Sequence, residues 1–188
     1  MAMIMIKTRG LGGGRMAFDG SFIPRAMVSI LSHTRQVLAA EAVLRVRAIA
    51  AVECGADRPD LRGITAIASL ALPVEMLVAF SFERALLEVI VGRVNAAVGA
   101  EDGQAALYYR ETAAEIVNTV LALCFADFSD GEAAFSLSPP VVCEAASSIA
   151  RPKNGVFASM RIRSDRGGID VGVVGSRRLF DEHLDRCH

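Results

Sequence analysis

The sequence predicts an α+β protein, a mostly antiparallel sheet with helices grouped on it. Two observations lead to this fold class. Apolar residues recur at helical spacing in three long stretches, and the other apolar segments are predicted strands that follow one another in runs instead of alternating with helices. The 188 residues are 53% hydrophobic, with a mean hydropathy of +0.40, which is typical of one packed domain and not of a disordered chain.

The first half is predicted to contain one helix and three strands. The helix runs from Ser21 to about Ala40, with Pro24 tolerated in its first turn. LRVRAIAAV, residues 44–52, is a predicted strand that ends at the turn-rich CGADRPD. GITAIASLAL and VEMLVAFSF then meet across Pro73, which predicts a hairpin.

Two helices and three further strands are predicted for the rest of the chain. One helix runs from Glu83 to about Ala97, and the next from about Gln104 to Phe128, where FSDGE supplies turn residues. The segments that follow are mostly strand-like, and RSDRGG is typical of a hairpin turn between the last two strands.

Polar residues form a stripe on the helix predicted for residues 104–128. At about 100° per residue, one apolar arc of about 120° is predicted to face the core. It consists of Tyr109, Ala113, Ile116, Val117, Val120, Leu123 and Cys124. Glu111, Glu115 and Asn118 lie opposite, together with Gln104 and Ala122. An exposed Asn inside a helix costs roughly 0.6 kcal/mol relative to Ala, so the stripe is either a functional site or an ordinary solvated face.

Charge and targeting features exclude several classes of partner. The net charge of −1 and a pI near 6.3 give no general attraction to nucleic acid or to anionic lipid. MAMIMIK at the amino terminus has too few apolar residues for a signal peptide and lacks the basic leader of one. The longest apolar stretches further along the chain are interrupted by Glu or Arg, which argues against a membrane span. We therefore expect a cytoplasmic protein, with no membrane insertion and no nucleic-acid partner.

The sequence shows no metal or phosphate-loop motif. RGLGGGR at residues 9–15 resembles a phosphate loop only in its glycines, and a flexible lead-in is the preferred interpretation. The four cysteines, Cys54, Cys124, Cys143 and Cys187, form no CxxC pair, so buried thiols are expected. Two of the three histidines, His33, His183 and His188, fall in the last six residues. We expect no metal held by this chain alone.

The order of elements and two sequence stretches resemble the CheC/CheX/FliY family of chemotaxis phosphatases, with CheX closest. The stretches are GITAIASLALPVEMLVAFSFERALLEVIVG and ETAAEIVN, the latter followed by Pro139 and Pro140. The resemblance covers about Ser21 to Ser176. It implies the CheC-like fold, with long helices packed on one face of the sheet, and it divides the chain into a flexible lead-in at 1–20, a CheX-like phosphatase domain at 21–176 and a tail at 177–188.

In that family a helix carries an acidic residue or serine, a glutamate four residues later, an asparagine three further on, and a proline a little over twenty residues beyond. These positions match Glu111, Glu115, Asn118 and either Pro139 or Pro140. The first position is usually Asp or Ser in the family, and the proline here comes one or two residues early. The sequence also has Ala122 where relatives often have Gly.

The resemblance implies a hydrolase of two-component signalling that removes the phosphoryl group from a CheY-like response regulator. Asn118 would position the attacking water, because its amide both donates and accepts hydrogen bonds. Glu115 would dock the lysine beside the regulator's phosphorylated aspartate, and Glu111 would contact the partner. No cofactor of its own is implied, since Mg²⁺ belongs to the regulator, and a homodimer is implied.

Two other functions remain open from the residues. A non-catalytic binding or assembly module, for a response regulator or the flagellar switch, could have this fold and keep only the docking surface. A small-molecule enzyme is less well supported, because the sequence shows no nucleophile paired with a base and no cofactor loop.

Overall fold

The computed structural model describes residues 22–42, 46–54, 61, 63–71, 75–98, 105–128, 136–144 and 155–176. The elements in chain order are α1 (Phe22–Ala42), β1 (Val46–Cys54), β2 (Ile64–Ala71), β3 (Glu75–Phe82), α2 (Arg84–Val98), α3 (Ala105–Asp127), β4 (Ser136–Leu137), β5 (Val141–Glu144), β6 (Gly155–Ser164) and β7 (Gly167–Ser176). The predicted lead-in at 1–20, the tail at 177–188 and Pro73 lie outside the described residues.

All seven described strands belong to one sheet, in the order β1-β6-β7-β3-β2-β4, with β5 also paired to β2. Every neighbouring pair is antiparallel. The predicted hairpin of β2 and β3 is present, with Ile64 opposite Phe82 and Ala71 opposite Glu75. The α+β class and the mostly antiparallel sheet are therefore confirmed.

The carboxyl-terminal strands differ from the prediction in number. Three strands were expected after α3, and the described residues contain four, because β4 and β5 are separate strands that both pair with β2. Pro139 and Pro140 stand between them and supply no backbone N–H to the ladder, so the pairing with β2 is interrupted there. Ser138 joins the two strands to β2: its N–H donates to the carbonyl of Ser69, and its Oγ accepts from the N–H of Ser69, both at 2.9 Å.

The helices and one face of the sheet enclose the main core. The core residues contributed by the sheet lie in rows that run across the strands, as the register requires. The central row consists of Ala66, Phe80, Val171 and Met160. These four residues are at most 3% exposed. Alternation along each strand sends every second side chain to this face, and the antiparallel register aligns one such residue from each of four strands in the row.

The start of α2 is fixed to the β6–β7 hairpin by Glu83. This residue accepts a hydrogen bond from the N–H of Gly168 at 3.0 Å, forms an ion pair with Arg163, and donates its own N–H to the carbonyl of Gly168. The hairpin turn predicted at RSDRGG is confirmed, and Gly167 within it has φ +135°. A Cβ there would come within 3.1 Å of Leu86, so glycine permits the close approach of α2.

Candidate functional site

The predicted polar stripe lies on the exposed side of α3. Glu111, Glu115 and Asn118 are all exposed, as is Ala122 one turn further along. Their side chains form no hydrogen bond or ion pair with any other residue, among those the structure describes. The three residues fall within about 60° on the helix, so their carboxylates and amide form one surface available to a partner.

The opposite side of α3 packs into the core and fixes this orientation. Its buried residues are Ala113, Ile116, Val117, Val120, Leu121 and Cys124. The apolar arc predicted from the sequence did not contain Leu121, which is fully buried. It did contain Leu123 and Tyr109, which are only half-buried. The buried side is therefore displaced toward Leu121, on the flank of α3 where Arg110 contacts Glu144 of β5. The displacement leaves Asn118 exposed, as predicted.

The first half of α3 makes one polar contact with the sheet and one with α2. Arg110 forms an ion pair with Glu144 of β5 at 3.8 Å, and the guanidinium of Arg84 on α2 lies 5.5 Å from the centre of the Tyr109 ring. Both Arg110 and Glu144 are about half exposed, so this pair contributes little stability. Its value is positional, since it defines the flank of α3 that faces the sheet edge.

A cluster between α1 and α3 fixes the end of α3. Ser29 Oγ donates to Asp127 Oδ2 at 2.6 Å, and His33 Nε2 lies 2.8 Å from the same oxygen. The hydrogen bond from Ser29, followed by that with His33, holds the pKa of the Asp127 carboxyl below its usual range. Burial raises the pKa of the neighbouring Cys124 thiol to about 11, so this cysteine is a packing residue and not a nucleophile.

A groove of about 540 Å³ runs beside the stripe, where the three helices meet. Its described lining residues are Val37, Ile90, Val94, Tyr108, Glu111, Thr112, Glu115, Ile116 and Thr119. Glu111 and Glu115 therefore belong to both the stripe and the groove wall, while Asn118 lies on the outer side of the stripe. The groove is not predictable from the sequence pattern of any single helix, because its shape depends on how three helices pack together.

The matched prolines lie at the sheet edge between β4 and β5. Pro139 is exposed and Pro140 is half-buried. Their visible role is to interrupt the pairing with β2, as described above.

Two features, a metal-ligand cluster and a membrane-spanning helix, are absent from the described part of the chain. No group of three or more His, Cys, Asp or Glu side chains there is placed to hold a metal ion. None of the described helices is long and apolar enough to cross a membrane.

Comparison with known proteins identifies the fold. No protein-family model matches the sequence, and no curated protein matches it. Among solved structures, the chain is similar to the chemotaxis protein CheX from Desulfovibrio desulfuricans, with a TM-score of 0.67 and 12% identity over 80% of this chain and 99% of that one. A CheC-like superfamily protein from Shewanella sp. PV-4 gives a TM-score of 0.66 at 17% identity, covering 81% and 97%.

A third similar structure is the CheX–CheY–BeF₃–Mg²⁺ complex from Borrelia burgdorferi, with a TM-score of 0.59, 13% identity, and coverage of 80% of this chain and 97% of that one. At these identities the similarities establish a CheC/CheX-like fold. The fold implied by the sequence resemblance is therefore confirmed.

Proposed function

We propose that this protein is a phosphatase that removes the phosphoryl group from the aspartyl phosphate of a CheY-like response regulator. The observation that carries the proposal is the exposed stripe of Glu111, Glu115 and Asn118, whose polar groups have no partner among the described residues. The stripe lies on α3, whose opposite side is buried in the core of a CheC/CheX-like fold, and one protein of that fold has been solved with CheY.

The chemistry suits a site with few functional groups. Phosphoryl transfer passes through a loose transition state, so catalysis consists mainly of placing water in line and stabilising charge. The Asn118 amide can accept from the water and donate to a phosphoryl oxygen, and no described residue competes for it. Because α3 is anchored by its buried side and by the Asp127 cluster, the amide approaches the partner on a fixed backbone.

The carboxylates supply docking. Glu115 lies one turn before Asn118, where it would pair with the lysine beside the regulator's phosphorylated aspartate, and Glu111 would extend the contact by another turn. The Mg²⁺ of the reaction belongs to the regulator, and this chain needs no cofactor of its own. The role assigns the protein to the cytoplasm, where two-component regulators act.

A homodimer is part of the proposal, and the edge of the sheet offers a place for it. Val141 on β5 is 62% exposed, and no described strand pairs with the outer side of β5. An apolar strand edge of this kind favours pairing with a second chain.

The second candidate is a non-catalytic module that binds a regulator or assembles in the flagellar switch. The observation in its favour is the departure from the family motif, with the longer Glu111 at the first position and Ala122 in place of the usual Gly. The two functions differ in turnover, since only a phosphatase consumes many regulator molecules per protein.

The test is the decay of phosphorylated CheY-like regulators from the same genome, followed with and without substoichiometric amounts of this protein. A phosphatase shortens the lifetime of at least one regulator. A lifetime that is unchanged or lengthened for every regulator would exclude the phosphatase and favour the binding module.

A further inference from the structure

We propose that the groove beside the stripe seats an apolar side chain of the regulator that stands next to a lysine or arginine. This inference rests on the proposed regulator partnership and adds the chemistry by which the partner is recognised. The groove volume of about 540 Å³ is sufficient for a bulky side chain and its neighbours.

The floor of the groove is aliphatic and is built from all three helices. Val37 of α1, Ile90 of α2 and Ile116 of α3 are nearly buried there, and Val94 of α2 remains 39% exposed. Covering Val94 with an apolar side chain would remove that surface from water and stabilise the complex. The floor has a fixed shape because it is set by helix packing and not by a loop.

The rim of the groove carries two carboxylates that have no hydrogen-bond or ion-pair partner among the described residues. The other helix carboxylates with described side chains are engaged, Glu88 with Arg84 and Asp127 with Ser29 and His33. Glu111 and Glu115 have no such partner, and none of the described lining residues is basic. An approaching cation therefore meets two free carboxylates beside an aliphatic floor, which is the complement of an apolar residue next to a lysine or arginine.

The groove and the stripe form one continuous contact surface. Glu115 belongs to both, and Asn118 lies less than one turn beyond it on α3. A partner seated in the groove is consequently held against the stripe, so apolar docking sets the register in which its phosphoryl group reaches Asn118. A small inorganic cation would contact only the carboxylates of the rim, and a purely apolar ligand would contact only the aliphatic floor. A partner with an apolar residue next to a base uses both.

The test is the affinity of Val94→Lys for a regulator held in its activated form by beryllofluoride and Mg²⁺, measured by titration calorimetry. The matched control is Val28→Lys, which makes the same change on α1 at a valine that is 66% exposed and outside the groove. We expect Val94→Lys to weaken binding about tenfold or more, since it removes apolar contact and adds a like charge opposite the partner's base. Val28→Lys should bind as the wild type does, and equal melting temperatures would show that both variants fold.

The outcomes separate this inference from the phosphatase proposal. If the wild type binds and Val94→Lys binds equally well, the groove assignment is wrong and the phosphatase proposal stands. If Val94→Lys selectively loses binding but the wild type does not accelerate dephosphorylation, the groove assignment stands and the phosphatase proposal fails. If Val94→Lys disrupts only self-association, the groove holds a second copy of this chain, and the regulator is the wrong occupant. A wild type that binds no activated regulator overturns both.

Discussion

Replacing Leu121 with alanine should destabilise the protein far more than the same replacement at Leu123. The two leucines are two residues apart on α3, but Leu121 is fully buried and Leu123 is only half-buried. The loss of a fully buried leucine typically costs about 2–5 kcal/mol, from lost burial and from the cavity that remains. We expect about 3 kcal/mol for Leu121→Ala and about 1 kcal/mol for Leu123→Ala, since part of the Leu123 side chain is already in water in the folded protein.

Thermal and urea unfolding of the two variants would measure this difference. For a protein of this size each kcal/mol lowers the melting temperature by about 2–4 °C, so Leu121→Ala should melt about 10 °C lower and Leu123→Ala about 3 °C lower. We expect the urea m-value to be the same for both variants and the wild type, because the replacements act on the folded state and leave the surface exposed on unfolding almost unchanged. An equal loss for both leucines, or a larger loss at Leu123, would mean that α3 is rotated. The exposed placement of Asn118 would then be wrong.

Three further predictions concern docking, backbone geometry and pH. Glu115→Lys should weaken affinity for the activated regulator about tenfold or more by opposing like charges, an effect that added salt reduces; unchanged affinity would exclude the docking role. Gly63→Ala should destabilise by about 1–2 kcal/mol or more, because Gly63 has φ +59° and its Cβ would lie 2.6 Å from the carbonyl oxygen of Phe82. Gly92→Ala, in α2, should instead stabilise by about 0.5–1 kcal/mol, because the new Cβ would have no heavy atom within 4 Å beyond its chain neighbours and the nearby backbone of its own helix. If urea unfolding showed both glycine replacements to stabilise, or both to destabilise, the assigned backbone would be wrong. Asp127→Asn should make the free energy of unfolding less dependent on pH in the acid range. In the folded protein the pKa of the Asp127 carboxyl lies below its ordinary value of 3.8, so the stabilisation from this group is complete above 3.8 and is lost as the pH falls through the folded pKa. A variant with the same acid limb as the wild type would show that the Asp127 contacts are absent in solution.

The fold and the stripe could be predicted from the sequence because both depend on local periodicity. The hairpin of β2 and β3 follows from two apolar runs around a turn, and the exposure of Asn118 follows from the apolar residues on the far side of α3. Leu121 was missed because a helix that contacts β2 and β5 as well as α1 and α2 buries a wider arc than the sequence window allowed.

The groove and the Asp127 cluster could not be predicted from local patterns. Ser29 and His33 meet Asp127 across 98 and 94 residues of chain, and the groove floor needs residues of α1 and α2 as well as α3. Such sites are set by tertiary packing alone. The one local signal was the spacing of Ser29 and His33, which places both side chains on the same face of α1.

The role of Asn118 is decided by the decay rate of the phosphorylated regulator, measured with saturating wild-type protein and with saturating Asn118→Ala. The variant should retain its affinity and unfold with up to about 0.6 kcal/mol more stability, since alanine is the better helix former and Asn118 has no described partner to lose. Its acceleration of decay should fall about 100-fold or more, the scale expected when a reacting water loses its position. Full acceleration by a folded, binding Asn118→Ala would contradict the account and remove Asn118 from the mechanism.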